Sequence, residues 1–113
     1  MGKMVQSEIV IRALSALAQE HRLAAYRLLV QAGAEGMAAG GLSEALGLPA
    51  SSMSFHLSQL SHAGLVTQRR QSRSIIYSAD YAAMSELMAY LTDNCCGGAA
   101  CEPALAASMP ACA

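Results

Sequence analysis

Apolar residues follow two different rhythms along this chain. Val10, Leu14 and Leu17, with Ile9 and Ala13 alongside, keep helical spacing and predict a helix over residues 5–18. A second helix is predicted from Glu20 or His21 to Ala32, with Leu28 and Leu29 near its centre and Gly33 as its stop. Small, flexible residues fill 34–41. Leu42, Ala45 and Leu46 then line one side of a short third helix that begins near Leu42 and ends at Gly47. Pro49 opens a fourth, with Ser51 or Ser52 as N-cap, because a hydroxyl accepts from a free backbone N–H. Its apolar positions are Met53, Leu57 and Leu60, and its opposite face carries Ser52, Ser54, Phe55, His56 and Gln59. After Gly64 the rhythm changes. Leu65–Arg70 and Ser74–Ser78 are β-prone and flank the polar Gln71, Ser72 and Arg73, which predicts a short hairpin with a basic tip. A last helix is predicted from Asp80 to Asp93, with Asp80 as cap and Met84, Leu87, Met88 and Leu91 as its stripe. Gly97, Gly98, Pro103 and Pro110 predict an irregular tail. The expected organisation is one domain over 1–93 and a cysteine-containing tail over 94–113.

Composition narrows the class. The chain has 113 residues, 54% apolar and 13% charged, with no Trp and one Phe, so Leu, Met and Ala must fill the core. No apolar run approaches the ~20 residues of a membrane span, and no signal peptide is evident, so no membrane partner and a cytoplasmic location are expected. The net charge of −1 speaks against nucleic acid until its distribution is read. Arg69, Arg70 and Arg73 stand in a stretch from 45 to 79 without acids, while Asp80, Glu86, Asp93 and Glu102 follow without bases. A basic middle is a local footprint for phosphate.

Two short helices around a Gly47-Leu48-Pro49 turn match helix-turn-helix architecture, in which the second helix enters the major groove. Ser52, Ser54 and Gln59 can donate to and accept from base edges, Phe55 suits a thymine methyl, and His56 a phosphate or base. Arg69, Arg70 and Arg73 would lie on the phosphate backbone. A plain solvated helix face is the alternative, and the hairpin directly after Gly64 argues against it. The runs LAQEHRLAAYRLL at 17–29 and LSEALGLPASSMSFHLSQLSHAGLVTQRRQSRSIIYS at 42–78 resemble the arsenic-repressor (ArsR/SmtB) family of metal-sensing repressors. The resemblance implies a mainly α fold of about five helices with a small β-hairpin wing, a winged helix-turn-helix in each subunit of a homodimer. It also implies double-stranded operator DNA with an inverted repeat, released on metal binding, and an interface made by the first and last helices. Val10, Leu14, Leu17, Met84, Leu87, Met88 and Leu91 fit that interface and fit a single subunit's core equally well.

All four Cys lie near the C-terminus, at 95, 96, 101 and 112. In a reducing compartment they read as ligands or reactive groups rather than disulfides. Trivalent arsenic or antimony binds three sulfurs as a pyramid, a count that Cys95, Cys96 and Cys101 satisfy on a Gly-containing segment. Structural zinc takes four ligands, which would enlist Cys112 across Pro103 and Pro110. Many family members carry a Cys-Val-Cys pair entering the third helix; the matching positions here are Ala38 and Gly40. Family zinc sensors use Asp and His on the last helix, where this chain has Asp80 and no His. The tail therefore resembles members whose ligands follow the last helix, and the expected function is a repressor induced by arsenite, with antimonite as a further inducer. Methylarsenite, zinc, cadmium and thiol oxidation are the alternative signals. A thiol arsenate reductase or a metallochaperone are the other classes. The first needs a Cys activated at a helix N-terminus, whereas these follow a helix C-terminus, and the second needs no DNA-reading pair. The expectation is therefore of a non-enzyme.

Overall fold

A computed structural model describes residues 2–93 and Gly97. Its elements are α1 (Gly2–Leu17), α2 (Glu20–Ala32), a 3-10 turn (Gly33–Glu35), β1 (Met37–Ala38), α3 (Ala39–Leu46), α4 (Ala50–His62), β2 (Val66–Gln71), β3 (Ser74–Ala79) and α5 (Tyr81–Leu91). The mainly α fold with a hairpin wing stands as expected. β2 and β3 pair antiparallel from Val66 opposite Ala79 to Gln71 opposite Ser74, so Ser72 and Arg73 form the turn. Ser72 carries a positive φ of 58°, a conformation that glycine takes with least strain.

Several helix boundaries differ from the sequence expectation, and one strand is additional. The third helix starts at Ala39 rather than Leu42, because β1 fixes the chain just before it. β1 was not anticipated. It adds to the free edge of β3, with Met37 opposite Tyr77 and Ala38 opposite Ile76, giving the order β1-β3-β2. Gly36 makes this approach possible: its φ is 69°, and a Cβ there would overlap the Tyr77 carbonyl oxygen. The fourth helix takes Pro49 as its cap position, with no side-chain cap bond, so Ser51 and Ser52 lie inside the helix. Pro has no N–H to leave unsatisfied, and its fixed φ suits a helix entrance. The last helix ends at Leu91, where the Thr92 hydroxyl donates to the Met88 carbonyl at 2.8 Å. Asp80 caps α5 as expected, its carboxylate accepting from the Ala83 N–H at 3.1 Å.

The core gathers where α2, α3, α4 and the root of the wing meet. Leu29, Leu42, Met53, Leu57, Leu60 and Leu65 are fully buried. Burying each such side chain contributes about 1.5–3 kcal/mol. α1 lies across α2, α4 and α5. This placement divides the two stripes that the sequence left undivided. Val10, with Ala13 and Ala16, is buried within the subunit, and Leu17 and Leu87 pack against its core. Met84 and Met88 are half-buried. Leu14 and Leu91 face outward, joined by Ile9 and Ile11. Among the described residues no helix is long and apolar enough to cross a membrane.

Two tyrosines set a direct comparison. The Tyr81 hydroxyl donates to the Val30 carbonyl at 2.9 Å and ties α5 to α2. The Tyr26 hydroxyl is buried with no partner among the described residues. Burial, and then the nearby Asp80 and Tyr81, push its pKa above the usual tyrosine value. Tyr81→Phe is expected to lose about 1 kcal/mol, a drop in melting temperature of roughly 4–8 °C. Tyr26→Phe removes an unsatisfied group and is expected to leave the melting temperature unchanged or higher. Thermal denaturation of the two variants side by side checks both.

Candidate nucleic-acid interface

The seat of α4 decides what it shows to solvent. With Met53, Leu57 and Leu60 buried, the opposite ridge is Ser51, Phe55, Ser58 and His62, with Ser54 beside it, all exposed. Phe55 is 58% exposed, a large aromatic displayed on a polar helix. The His62 Nδ1 donates to the Ser58 carbonyl at 2.9 Å, which leaves its other ring nitrogen free of that bond. Ser51, Ser58 and His62 were not among the DNA-facing residues expected from the sequence. Their signal was available: they sit opposite the buried stripe at about 100° per residue.

Ser52, His56 and Gln59 form a half-buried flank rather than the exposed crest. His56 is turned toward the start of α2, where its ring lies 5.9 Å from that of His21. Its Nδ1 is buried and has no hydrogen-bond partner among the described residues. Burial, then the Arg22 guanidinium and His21, hold its pKa below the ordinary 6.5. The three histidines, scattered in sequence, are thus partly gathered by the fold. Even so, among the described residues no group of three His, Cys, Asp or Glu is placed to hold a metal.

The wing divides its arginines. Arg70 and Arg73 are exposed and form no hydrogen bond or ion pair among the described residues. Arg69 has other work. Its guanidinium donates to the Glu35 carbonyl at 2.9 Å, to the Ala34 carbonyl at 3.3 Å and to the Ser78 hydroxyl at 3.3 Å. It straps the wing to the turn after α2 instead of reaching outward for phosphate. On the other face of β2, the Gln68 amide donates to the Ser61 hydroxyl of α4 at 3.0 Å, so wing and reading helix are held together. Cys95, Cys96, Cys101 and Cys112 lie outside the described residues.

Comparison with known proteins agrees with this geometry. Residues 17–69 match the family model described as a helix-turn-helix domain. The chain is 37% identical over 91 residues to the nodulation protein NolR of Rhizobium meliloti, covering 80% of this chain and 72% of that protein. The chain belongs to the ArsR-like family of winged helix-turn-helix transcriptional regulators. Its fold is similar to the homodimeric winged helix-turn-helix DNA-binding domain of Mb0332 from Mycobacterium bovis, described as a possible ArsR-family regulator. The TM-score is 0.65 and the identity 25%, over 88% of this chain and 93% of that one. It is also similar to a possible transcriptional regulator for arsenical resistance, with TM-score 0.62 and 28% identity over 70% of this chain and 79% of that one. These relatives are regulators of transcription rather than enzymes, and the α3–α4 pair with its wing is the DNA-binding unit of this family member.

Two outcomes follow for this regulator. Arg70→Gln and Arg73→Gln are each expected to flatten the slope of log affinity against log salt by about 0.9, the signature of a lost phosphate contact. Arg69→Gln is expected to weaken binding with the slope unchanged, because it loosens the wing. Fluorescence anisotropy on labelled duplex DNA across salt reads all three. The second concerns pH. A lowered folded pKa at His56 means the unfolded chain binds its proton first as pH falls. That contribution to stability is complete above about pH 6.5 and is lost on acidification. The melting temperature should fall from about pH 7.5 to about pH 5.5, and the fall should be shallower in His56→Gln.

Proposed function

We propose that this chain is a repressor that binds an inverted-repeat operator as a homodimer. It lets go when trivalent arsenic or antimony is captured by Cys95, Cys96 and Cys101. The observation that carries the reading is the spacing of these three thiols directly after α5. Soft thiolates at that spacing suit a pyramidal three-sulfur ion better than a tetrahedral one. The similar regulator described for arsenical resistance supports the same choice. Ser51, Ser54, Phe55 and Ser58 would face base edges, with Ser52, His56 and Gln59 at the side, and Arg70 and Arg73 on the backbone. The homodimeric relative supports a two-fold partner, and the exposed Ile9, Ile11, Leu14 and Leu91 supply apolar surface for it on α1 and α5. Leu91 is 57% exposed at the end of the helix that leads into the thiols, so interface and sensor are neighbours in the chain.

A hundredfold loss of operator affinity requires only about 2.7 kcal/mol of coupling between the two sites. The test is a titration of arsenite into the protein–operator complex, repeated with Cys95→Ser, Cys96→Ser and Cys101→Ser. Each variant should still bind DNA and should no longer release it. Release by all three variants would sink the three-thiolate sensor. Dependence on Cys112 as well, with zinc or cadmium as the effective ion, would assign a four-ligand site instead. Release of the wild type by methylarsenite with only two thiols consumed would assign a methylated inducer, and release by peroxide alone a redox signal.

A further inference from the structure

α4 has two flanks, and the wing occupies only one. Ser61, which receives the wing's Gln68, and Gln59 project from opposite sides of α4 at about 100° per residue. On the Gln59 side a cleft of about 440 Å³ opens between α1, α2 and α4, lined by Arg12, Ser15, Arg22, Gln59 and His62. Every polar group named here can donate a hydrogen bond. Among the described residues no acid lines the cleft and neither arginine forms an ion pair. The Nε of Arg22 and the Nδ1 of His56 nearby are both buried with no hydrogen-bond partner among the described residues. Positive charge here is also felt by its neighbours: Arg22 and His21 help hold the His56 pKa low. His62 belongs to both surfaces, since it ends the exposed ridge of α4 and lines the cleft.

We propose that this cleft is a second phosphate-binding site, in which Arg12 and Arg22, helped by Ser15, Gln59 and His62, grip the DNA backbone strand on the side of the major groove opposite the wing. A helix lying in the major groove has a sugar-phosphate strand on each side. The wing's Arg70 and Arg73 serve one, and the cleft serves the other. Two guanidinium groups without ion pairs among the described residues, beside side chains that can each donate a hydrogen bond, fit a phosphodiester, and buried unpartnered donors lose least when a phosphate oxygen meets them. The inference rests on the DNA-binding reading of α4, and it enlarges the footprint from the helix-turn-helix and wing to α1.

The test compares wild type, Arg12→Gln, Arg22→Gln and Arg12→Lys on an operator duplex and on an unrelated duplex, with thermal melting as a check on folding. Each Gln variant should flatten the salt slope by about 0.9, so its affinity falls about threefold less than wild type between 50 and 200 mM salt. The loss should be similar on both duplexes, because phosphate contacts carry no sequence information. Arg12→Lys keeps the charge and should keep the slope. Folded Gln variants with the wild-type slope overturn the proposal and leave the α4 reading intact. A wild type that binds neither duplex overturns both. A third arm titrates inorganic phosphate at constant ionic strength. Saturable millimolar binding that Arg22→Gln abolishes, with the DNA slope unchanged, would give the cleft to a free anion and also overturn the proposal.

Discussion

Met53, Leu57 and Leu60 are withdrawn from water completely, and the interface depends on that burial. Their spacing leaves α4 one rotational setting, since turning the helix to show any of them would expose roughly 1.5–3 kcal/mol of apolar surface per side chain. The same setting therefore points Ser51, Phe55 and Ser58 outward. It also decides the neighbours. Ser61 comes to the wing, whereas His56 and Gln59 come to α1 and α2. A stability constraint and a recognition surface are thus two sides of one helix, and a core substitution at Leu57 would disturb DNA contacts that it never touches.

The wing depends on a second constraint, made of hydrogen bonds rather than apolar area. A two-stranded hairpin has little stability alone. Here β1 gives β3 a second partner, Gly36 lets the chain approach closely enough for it, and Arg69 bonds to the turn just before. Together these convert a hairpin into a three-stranded sheet fixed to α2. That rigidity explains why three consecutive-looking arginines have unlike roles. Alternation along β2 puts Arg69 on the face with Ser78 and Gln71, and Arg70 on the face with Gln68.

This contrast also marks how far the sequence could be read. The helices, the presence of the hairpin and the Asp80 cap were legible because each rests on local spacing or a local hydrogen bond, whereas the hairpin turn is tighter than the sequence suggested, with Gln71 paired to Ser74 instead of lying in the tip. β1 was not, since Met37 and Ala38 carry no alternating pattern and pair only through backbone at long range. The Arg69 strap joins residues far apart in the chain, and so does the meeting of His21 with His56. The stripes on the first and last helices could be divided only once α1 was laid across α4, which buries Val10 and leaves Leu14 outside. The serine cap expected for α4 is not formed, for a local reason: Pro49 takes the cap position and the entrance has no side-chain bond. The cysteine motif is legible as chemistry and lies beyond the described residues.

The proposed sensor after α5 would have a short path to the reading helix α4 in this fold. α5 touches α1, and α1 touches α4. Between α1 and α5 lies a largely apolar cavity of about 230 Å³, bounded by Val10, Ala13, Leu87 and the Ala63–Gly64–Leu65 joint where α4 passes into the wing. Side chains facing a void lack partner atoms on one side, so they forgo dispersion that a packed contact would supply. The α1–α5 contact is thus less completely packed than the α4 stripe, whose Met53, Leu57 and Leu60 are fully buried. A shift of α5 would meet α4 at its C-terminal joint, where the Gln68–Ser61 bond links the helix to the wing. A movement that reoriented the reading unit with the α4 stripe still buried would be the kind of change to which a dimer spanning two half-sites is sensitive.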